Sequence, residues 1–156
     1  MKQVSVYTDG SYFIRNGKKM CGYGVFFPDG ELTNISRPFT HEPLTNQRAE
    51  LYAIYKAIYY VTTKLDVDVI NIYSDSGYSI DSMTKWIKGW KKKGWKLASG
   101  KDVKNLDLMK KLDLITNNFN GKINYTHVYS HTGRQDERSK NNDAVDKLAK
   151  EGALKS

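Results

Sequence analysis

Two aspartates lie directly after runs of the sequence that are typical of buried strands. Asp9 follows the β-rich run 4–8, and Asp75 follows the apolar run 67–74. If the two strands are parallel neighbours, both carboxylates reach the same edge of the sheet, which is where open α/β sheets build their sites. For either aspartate alone, the alternative is an ordinary turn or helix-capping role.

Glu50 heads a helical stripe that is otherwise apolar. The rest of the stripe comprises Ala53, Ile54, Ala57 and Ile58. Such a stripe faces the protein interior, and burial of a charge is costly unless a cation or hydrogen-bond donors meet it. The alternative to a binding role is an ion pair between Glu50 and Arg48 or a nearby lysine.

Asp146 lies beside the apolar face of the last predicted helix, where by itself it would be a solvated helix residue. Together with Asp9, Glu50 and Asp75 it suggests an all-oxygen site, because Mg²⁺ and Mn²⁺ prefer carboxylate and water ligands. Two such ions about 3.5–4 Å apart are a common device for in-line hydrolysis of phosphodiesters. We therefore predict two Mg²⁺ ions as cofactors, with Mn²⁺ as a possible substitute.

The charge balance favours a polyanionic partner. The 156 residues include 25 Lys and Arg against 17 Asp and Glu, which gives a net charge of +8. Basic ribosomal, chromatin and membrane-surface proteins share this excess. Cys21 is the only cysteine, which excludes an intrachain disulfide and a cysteine-based zinc site. Because we find neither a membrane-spanning run nor a signal-peptide core, we expect a cytoplasmic protein.

The elements that must position these carboxylates follow from the hydrophobic periodicity. We predict strands at 4–8, 23–27, 31–36, 67–74 and 122–129, a helix from Thr45, and helices at 79–90, 105–119 and 142–154. Turn signals lie at 9–11 and 28–30, and His127 alternates with Ile123 and Tyr125 as a core position. The order β-β-β-α-β-α-α-β-α indicates an α/β fold, with a five-stranded mixed sheet and helices on both faces. The length suits one domain over 1–156.

Five segments resemble, in the same order, those of type 1 ribonuclease H of the bacterial-like, single-domain kind. They are YTDGS at 7–11, TNQRAEL at 45–51, YSDS at 73–76, SHTG at 130–133 and NDAVDKLA at 142–149. The resemblance covers nearly the whole chain and implies the ribonuclease H-like fold. It also implies a metal-dependent endonuclease that cuts the RNA strand of RNA–DNA hybrids and leaves 5′-phosphate and 3′-hydroxyl ends.

The resemblance assigns roles to the acidic residues. Asp9 would bridge both metal ions, Glu50 and Asp75 would complete the site nearer the leaving group, and Asp146 would help to hold the ion that activates water. His131 matches a mobile-loop histidine that assists proton transfer or product release. Asp143, one helical turn before Asp146, is a rival for the fourth carboxylate, and Asp146 is retained.

The stretch 86–111 holds all three tryptophans among many lysines, and it resembles the basic protrusion with which the family grips the DNA strand. We place this protrusion at about 86–105, expect Trp86 to contact DNA, and assign Trp90 and Trp95 to the protrusion's own core. The other expected nucleic-acid contacts are Lys91, Lys92, Lys93, Lys101 and Lys104.

Asn46 and Gln47 match a polar pair that reads RNA 2′-hydroxyls in the minor groove. Their alternative role is helix capping, by Thr45 or by Asn46 itself. Gly77 stands where many family members have a glutamine that contacts RNA, so one such contact is expected to be missing or supplied by another residue. The loop after His131 is also longer than usual.

We expect a monomer that acts on a hybrid duplex. No hybrid-binding module precedes Met1, which predicts limited processivity. Two alternatives stay open: a related nuclease, such as a junction resolvase or an integrase-like core, and a non-catalytic hybrid- or double-stranded-RNA-binding module. The four intact carboxylates favour a nuclease, because clustered negative charge does not help a pure binder of nucleic acid.

Overall fold

The computed structural model describes residues 2–129 and 136–156. Its five strands form one sheet in the order β3-β2-β1-β4-β5. The strands are β1 (Gln3–Arg15), β2 (Lys18–Phe26), β3 (Ile35–Pro38), β4 (Val69–Ser74) and β5 (Lys122–His127). The helices are α1 (Asn46–Lys64), α2 (Gly77–Asp81), a π-helical segment (Ser82–Trp86), α3 (Ile87–Lys92), α4 (Leu106–Asn118) and α5 (Glu137–Leu154).

The sheet is mixed, as the order of the predicted elements indicated. β1 pairs antiparallel with β2, and β2 with β3, whereas β1 with β4 and β4 with β5 are parallel. α1 and α5 cover opposite faces of the sheet. A Cβ added to Gly10 would meet the backbone of α1, while one added to Gly22 would overlap the backbone of α5 at Ala153. Gly10 pairs with Tyr23, so positions 10 and 23 share one face of the sheet. Gly22 is next to Tyr23 in β2 and therefore lies on the opposite face.

The main core lies between the sheet and α1. Val4 and Val6 of β1 and Ile70 and Ile72 of β4 are buried in it at the period of two that a strand requires. The apolar stripe predicted for α1 is buried against them. A smaller cluster of Tyr7, Val128 and Val145 fills the α5 side. No helix in the described part of the chain is long and apolar enough to cross a membrane.

Several predicted element boundaries are wrong, among them the start of β2, which lies at Lys18 instead of position 23. β1 does not turn at 9–11 but continues to Arg15, and the hairpin reverses at Asn16-Gly17, where both residues have positive φ. Cross-strand pairing with β2, which runs out to Arg15 opposite Lys18, holds the longer strand. β3 begins at Ile35 instead of position 31. α5 begins at Glu137 instead of position 142, because Asp136 caps it by accepting from the Ser139 amide.

One side chain that was predicted to be a core position, His127, is exposed. His127 ends β5, the edge strand, and its ring packs against Tyr129 with centroids 4.9 Å apart. Ile123 and Tyr125 pack against the main core, as the alternation predicted, but His127 at the end of the strand does not belong to that core. Leu114 in α4 is 64% exposed, and the buried stripe of that helix is formed by Leu108, Met109 and Leu112.

Candidate active site

The parallel pairing of β1 with β4 brings the first two carboxylates together. The ladder ends at the pair Thr8 and Ser74, so Asp9 and Asp75 each follow the last paired residue of neighbouring strands. The convergence predicted from the two strand ends is therefore confirmed. β1 itself continues past this point to pair with β2, which buries Asp9 to 4% exposure.

α1 supplies the third carboxylate. The helix begins after Thr45, whose Oγ1 accepts a hydrogen bond from the Arg48 amide at 3.1 Å, and Glu50 then faces β1 and is 4% exposed. The Gly10 amide donates to Glu50 Oε1. This close approach requires a glycine, because a Cβ at position 10 would lie 2.5 Å from the Glu50 nitrogen. The backbone thus fixes the orientation of the Glu50 carboxylate.

The ion pair weighed as an alternative for Glu50 does not form. Arg48 turns away and binds Asp107 of α4 with both ends of its guanidinium, at 2.8 and 2.7 Å. In the described residues, Glu50 has no ion pair with a lysine or arginine either. A buried carboxylate with a backbone donor and without a protein cation is the arrangement expected of a metal ligand.

Asp9, Glu50 and Asp75 form a compact group with one ligand atom each, and these oxygens lie within 4.8 Å of one another. Asp9 Oδ2 is buried and has no hydrogen-bond partner in the part of the chain that the structure describes. An unpartnered carboxylate oxygen beside two further carboxylates fits a hard divalent cation, because such cations take oxygen ligands.

Burial and mutual repulsion make the metal-free group hold protons. Burial raises the pKa of Asp9, and the charges of Glu50, Asp75 and Asp146 raise it further. Burial likewise raises the pKa of Glu50, and the charge of Asp75 adds to the effect. A divalent cation would relieve this repulsion, so its binding is coupled to release of protons from the group.

Asp146 lies outside this compact group but near enough for its charge to act on Asp9. Its side chain is 25% exposed, and Lys150 Nζ lies 3.0 Å from Oδ2. Asp143 is exposed and lines a separate surface depression with Lys140 and Lys147. Of these two aspartates, Asp146 is therefore the one whose side chain lies nearer to the compact group.

Asn142 is a site residue that the sequence analysis missed. It is 2% exposed, and its Nδ2 donates to Asp75 Oδ2 at 3.3 Å. Its Oδ1 is buried and has no partner among the described residues. The spacing contains a signal for this position, because Asn142 precedes Asp146 by four residues and so shares its helix face.

The residues expected to read RNA lie at the start of α1. Thr45 provides the helix cap, so capping does not occupy the side chains of Asn46, which is exposed, and Gln47, which is half-buried. Gly77 begins α2 directly after the Asp75 strand end. His131, with the rest of the segment 130–135, lies outside the residues that the structure describes.

The tryptophan-rich stretch contains one exposed ring and two packed rings, but the packed rings do not form a separate core of the protrusion as we expected. Trp86 ends the π-helical segment and is 39% exposed, whereas Trp90 and Trp95 pack against the main core. Lys91 is paired with Asp113 at 3.0 Å. Over the residues with described positions, no carboxylate lies within ion-pair distance of the other lysines expected to contact nucleic acid. These are Lys92, Lys93, Lys101 and Lys104.

Comparison with protein families gives a match to the RNase H model over residues 1–154. Ribonuclease HI of Haemophilus influenzae is 38% identical over 97% of this chain and 90% of its own length. Ribonuclease H1 of mouse is 36% identical over 99% of this chain but 52% of its own, so the chain spans about half the length of that relative.

Solved structures share the fold. The crystal structure of LC9-RNase H1, described as a type 1 RNase H with the type 2 active-site motif, is 25% identical with a TM-score of 0.73, covering 99% of this chain and 73% of its own. The solution structure of the PFV RNase H domain is 23% identical with a TM-score of 0.80, covering 98% of this chain and 95% of its own.

Proposed function

Because this chain belongs to the RNase H family, we propose that it is a metal-dependent endonuclease that hydrolyses the RNA strand of RNA–DNA hybrids and leaves 5′-phosphate and 3′-hydroxyl ends. The observation that carries the proposal is the group formed by Asp9, Glu50 and Asp75. Three carboxylates converge there in a protein whose net charge is +8. Local negative charge inside a basic protein is suited to holding divalent cations against a polyanionic substrate.

The proposed ligands are the three grouped carboxylates and Asp146, and Mg²⁺ is the proposed ion, with Mn²⁺ as a substitute. When bound, two such ions would activate the attacking water and neutralise the charge that develops on the departing 3′ oxygen. The charges of Glu50, Asp75 and Asp146 all act on Asp9, which supports a role for Asp9 as a ligand that both ions would share. Asp146, on the neighbouring helix, would complete the site on the side of the water.

The protein's own contribution is to hold these carboxylates before substrate arrives. The Gly10 amide orients Glu50, and the Asn142 amide orients Asp75. Hydrogen bonds of this kind keep ligands in position and tune their affinity for the ion. The protons that burial keeps on Asp9 and Glu50 must leave when the ions bind, so assembly of the site favours higher pH.

Substrate choice is assigned to the residues around this group. Asn46 and Gln47 at the start of α1 would contact RNA 2′-hydroxyls, which distinguish RNA from DNA. Trp86 and the lysines of the stretch 86–105 would grip the DNA strand. His131 would assist proton transfer or product release. We further propose that the chain forms one catalytic domain and acts as a monomer in the cytoplasm.

A gel assay on labelled RNA–DNA, RNA–RNA and DNA–DNA duplexes, in Mg²⁺ or in EDTA, tests the proposal. We expect cleavage of the RNA strand of the hybrid alone, and only with metal. Asp9→Asn should abolish it and Asp146→Asn should weaken it. Asp143→Asn, which changes an exposed aspartate of the same helix, is the matched control and should keep it. Binding of the hybrid without cleavage in Mg²⁺ or Mn²⁺ would establish the non-catalytic alternative instead.

A further inference from the structure

A groove of about 880 Å³ runs between the edge strand β3 and the outer side of α1. It is separate from the carboxylate group, none of whose members lines it. It nevertheless begins close by, because Tyr23 in its wall pairs with Gly10, and Tyr52 follows Glu50 by two residues on α1. The residues that line this groove include no aspartate or glutamate.

Aromatic rings form much of the groove, and neighbouring rings hold them in place. Tyr52 packs edge-on against Tyr23 at 5.1 Å and lies 4.8 Å from the His41 ring. Tyr59 is 47% exposed, and its ring lies nearly parallel to that of Tyr55, with 18° between the planes. A ring that is supported by a neighbour and remains exposed, as Tyr59 is, is suited to stacking on a flat ligand.

The lysine and arginine side chains that line the groove give it a positive charge. Lys56 Nζ lies 5.9 Å from the Tyr52 ring centre and 5.4 Å from that of Tyr59. Lys155 donates to the Ser36 carbonyl at 2.8 Å, and Arg37 is exposed on β3. Across the residues whose placement is described, none of these three cations has a carboxylate within 4.0 Å. Their charge is therefore available to an anionic ligand.

We propose that this groove binds single-stranded nucleic acid. Stacking of bases on open aromatic faces and neutralisation of phosphates by unpaired cations are the two terms that drive such binding. The volume of about 880 Å³ corresponds to a drug-sized ligand, which suits a few nucleotides. The inference rests on the proposed function, since an enzyme that acts on hybrids meets their single-stranded tails.

Binding of fluorescein-labelled oligothymidine and oligouridine to the full chain in EDTA, followed by fluorescence anisotropy, tests the proposal. The two oligonucleotides separate DNA from RNA as the ligand. We expect Tyr59→Ala to weaken binding by about fivefold or more, the loss typical of one stacked base. Lys56→Glu replaces a cation available to phosphate by an anion and should weaken binding by about fivefold or more as well. Lys64→Glu is the matched control, because it makes the same charge change on the same helix outside the groove, and it should change binding by less than about twofold.

A second readout locates the ligand. Oligonucleotides that carry 5-iodouracil should cross-link on irradiation to peptides that contain Tyr52 or Tyr59. Equal losses in Lys56→Glu and Lys64→Glu, or cross-links confined to the stretch 86–105, would overturn the proposal. The rate of cleavage of a blunt-ended hybrid should be unchanged in Lys56→Glu. Groove binding by a protein that cleaves no hybrid would refute the proposed function and leave this inference standing.

Discussion

Arg48 and Asp107 join the helix that carries Glu50 to α4 through a two-pronged ion pair. The guanidinium nitrogens lie 2.8 and 2.7 Å from the two carboxylate oxygens, and the Arg48 side chain is 3% exposed. Arg48 also donates to the carbonyls of His41 and Glu42. Position 48 thus fixes the start of α1 against two neighbouring segments, two residues before the buried glutamate.

Removal of the carboxylate from this pair should destabilise the protein. Asp107→Ala leaves the buried guanidinium without its anion. We expect a loss of about 1–3 kcal/mol, less than for a fully buried pair because Asp107 is 59% exposed. Denaturant unfolding measures this loss. Asp66→Ala, a solvated aspartate of the loop after α1, is the control, and an equal loss there would contradict the assignment.

The ion pair between Arg48 and Asp107 also predicts that the stability of the protein depends on pH. Arg48 lowers the pKa of Asp107 below its ordinary value, so the pair's contribution is present above that ordinary value and is lost as pH falls through the lowered one. The difference in unfolding free energy between wild type and Asp107→Asn should therefore shrink below about pH 4. Denaturant titrations at pH 3 and pH 6 measure it, and a difference that does not change would contradict this attribution.

The metal-free carboxylate group should make the protein less stable as pH rises. The folded state raises the pKa of Asp9 and of Glu50, so stability from this group is complete below the ordinary carboxylate range and is lost as pH rises toward the raised values. Asp9→Asn removes one of these acids. In EDTA, its gain in melting temperature over wild type should grow by at least about 3 °C between pH 5 and pH 8. A gain that is constant with pH would refute this interpretation.

Metal binding should reverse the loss of stability that the metal-free protein shows at high pH. A ligand that binds only the folded state adds RT ln(1 + [L]/Kd), about 2.7 kcal/mol at a concentration one hundred times Kd. Mg²⁺ or Mn²⁺ at pH 8 should therefore raise the melting temperature of the wild type, and EDTA should reverse the rise. The control is Asp9→Asn, in which the rise should be largely absent. An equal rise in both proteins would place the ion elsewhere.

Asn142 should act through Asp75. Asn142→Ala removes the amide that orients this carboxylate, and loss of such a contact commonly weakens metal affinity or activity by about 10–100-fold. We expect weaker Mn²⁺ binding by calorimetry and a matching shift in the metal concentration that supports cleavage. Asn118→Ala at the exposed end of α4 is the control. Unchanged Mn²⁺ affinity with normal folding would show that Asn142 does not position the ligand.

Trp86 and Trp90 should differ in role, with Trp86 binding nucleic acid and Trp90 stabilising the fold. Trp86→Ala should weaken binding of the hybrid by about five- to tenfold with little change in melting temperature, because its ring is 39% exposed. Trp90→Ala should instead lower the melting temperature, because that ring packs against the core. Anisotropy with the hybrid and thermal unfolding give the two measurements. A loss of stability in Trp86→Ala as large as in Trp90→Ala would assign Trp86 to the fold.

The local hydrophobic periodicity of the sequence was sufficient to predict much of the fold. The alternation of apolar residues in β1 and the stripe of α1 depend on neighbours within a few residues, so the buried faces of both elements follow from the sequence. The same patterns placed Asp9 and Asp75 at strand ends and Glu50 on a buried face. Those positions, together with the ordered motifs, were sufficient to predict the family and three members of the acidic group.

Tertiary structure decided the features that depend on distant partners. Pairing with β2 extends β1 past the turn signal at 9–11, and His127 is exposed at the end of the edge strand β5. Asn142 reaches Asp75 across 67 positions of sequence, and Arg48 pairs with Asp107 across 59. Periodicity reports which side of an element is buried, but it does not report what lies opposite. Partner choice is set by the packing of whole elements, which only the folded chain provides.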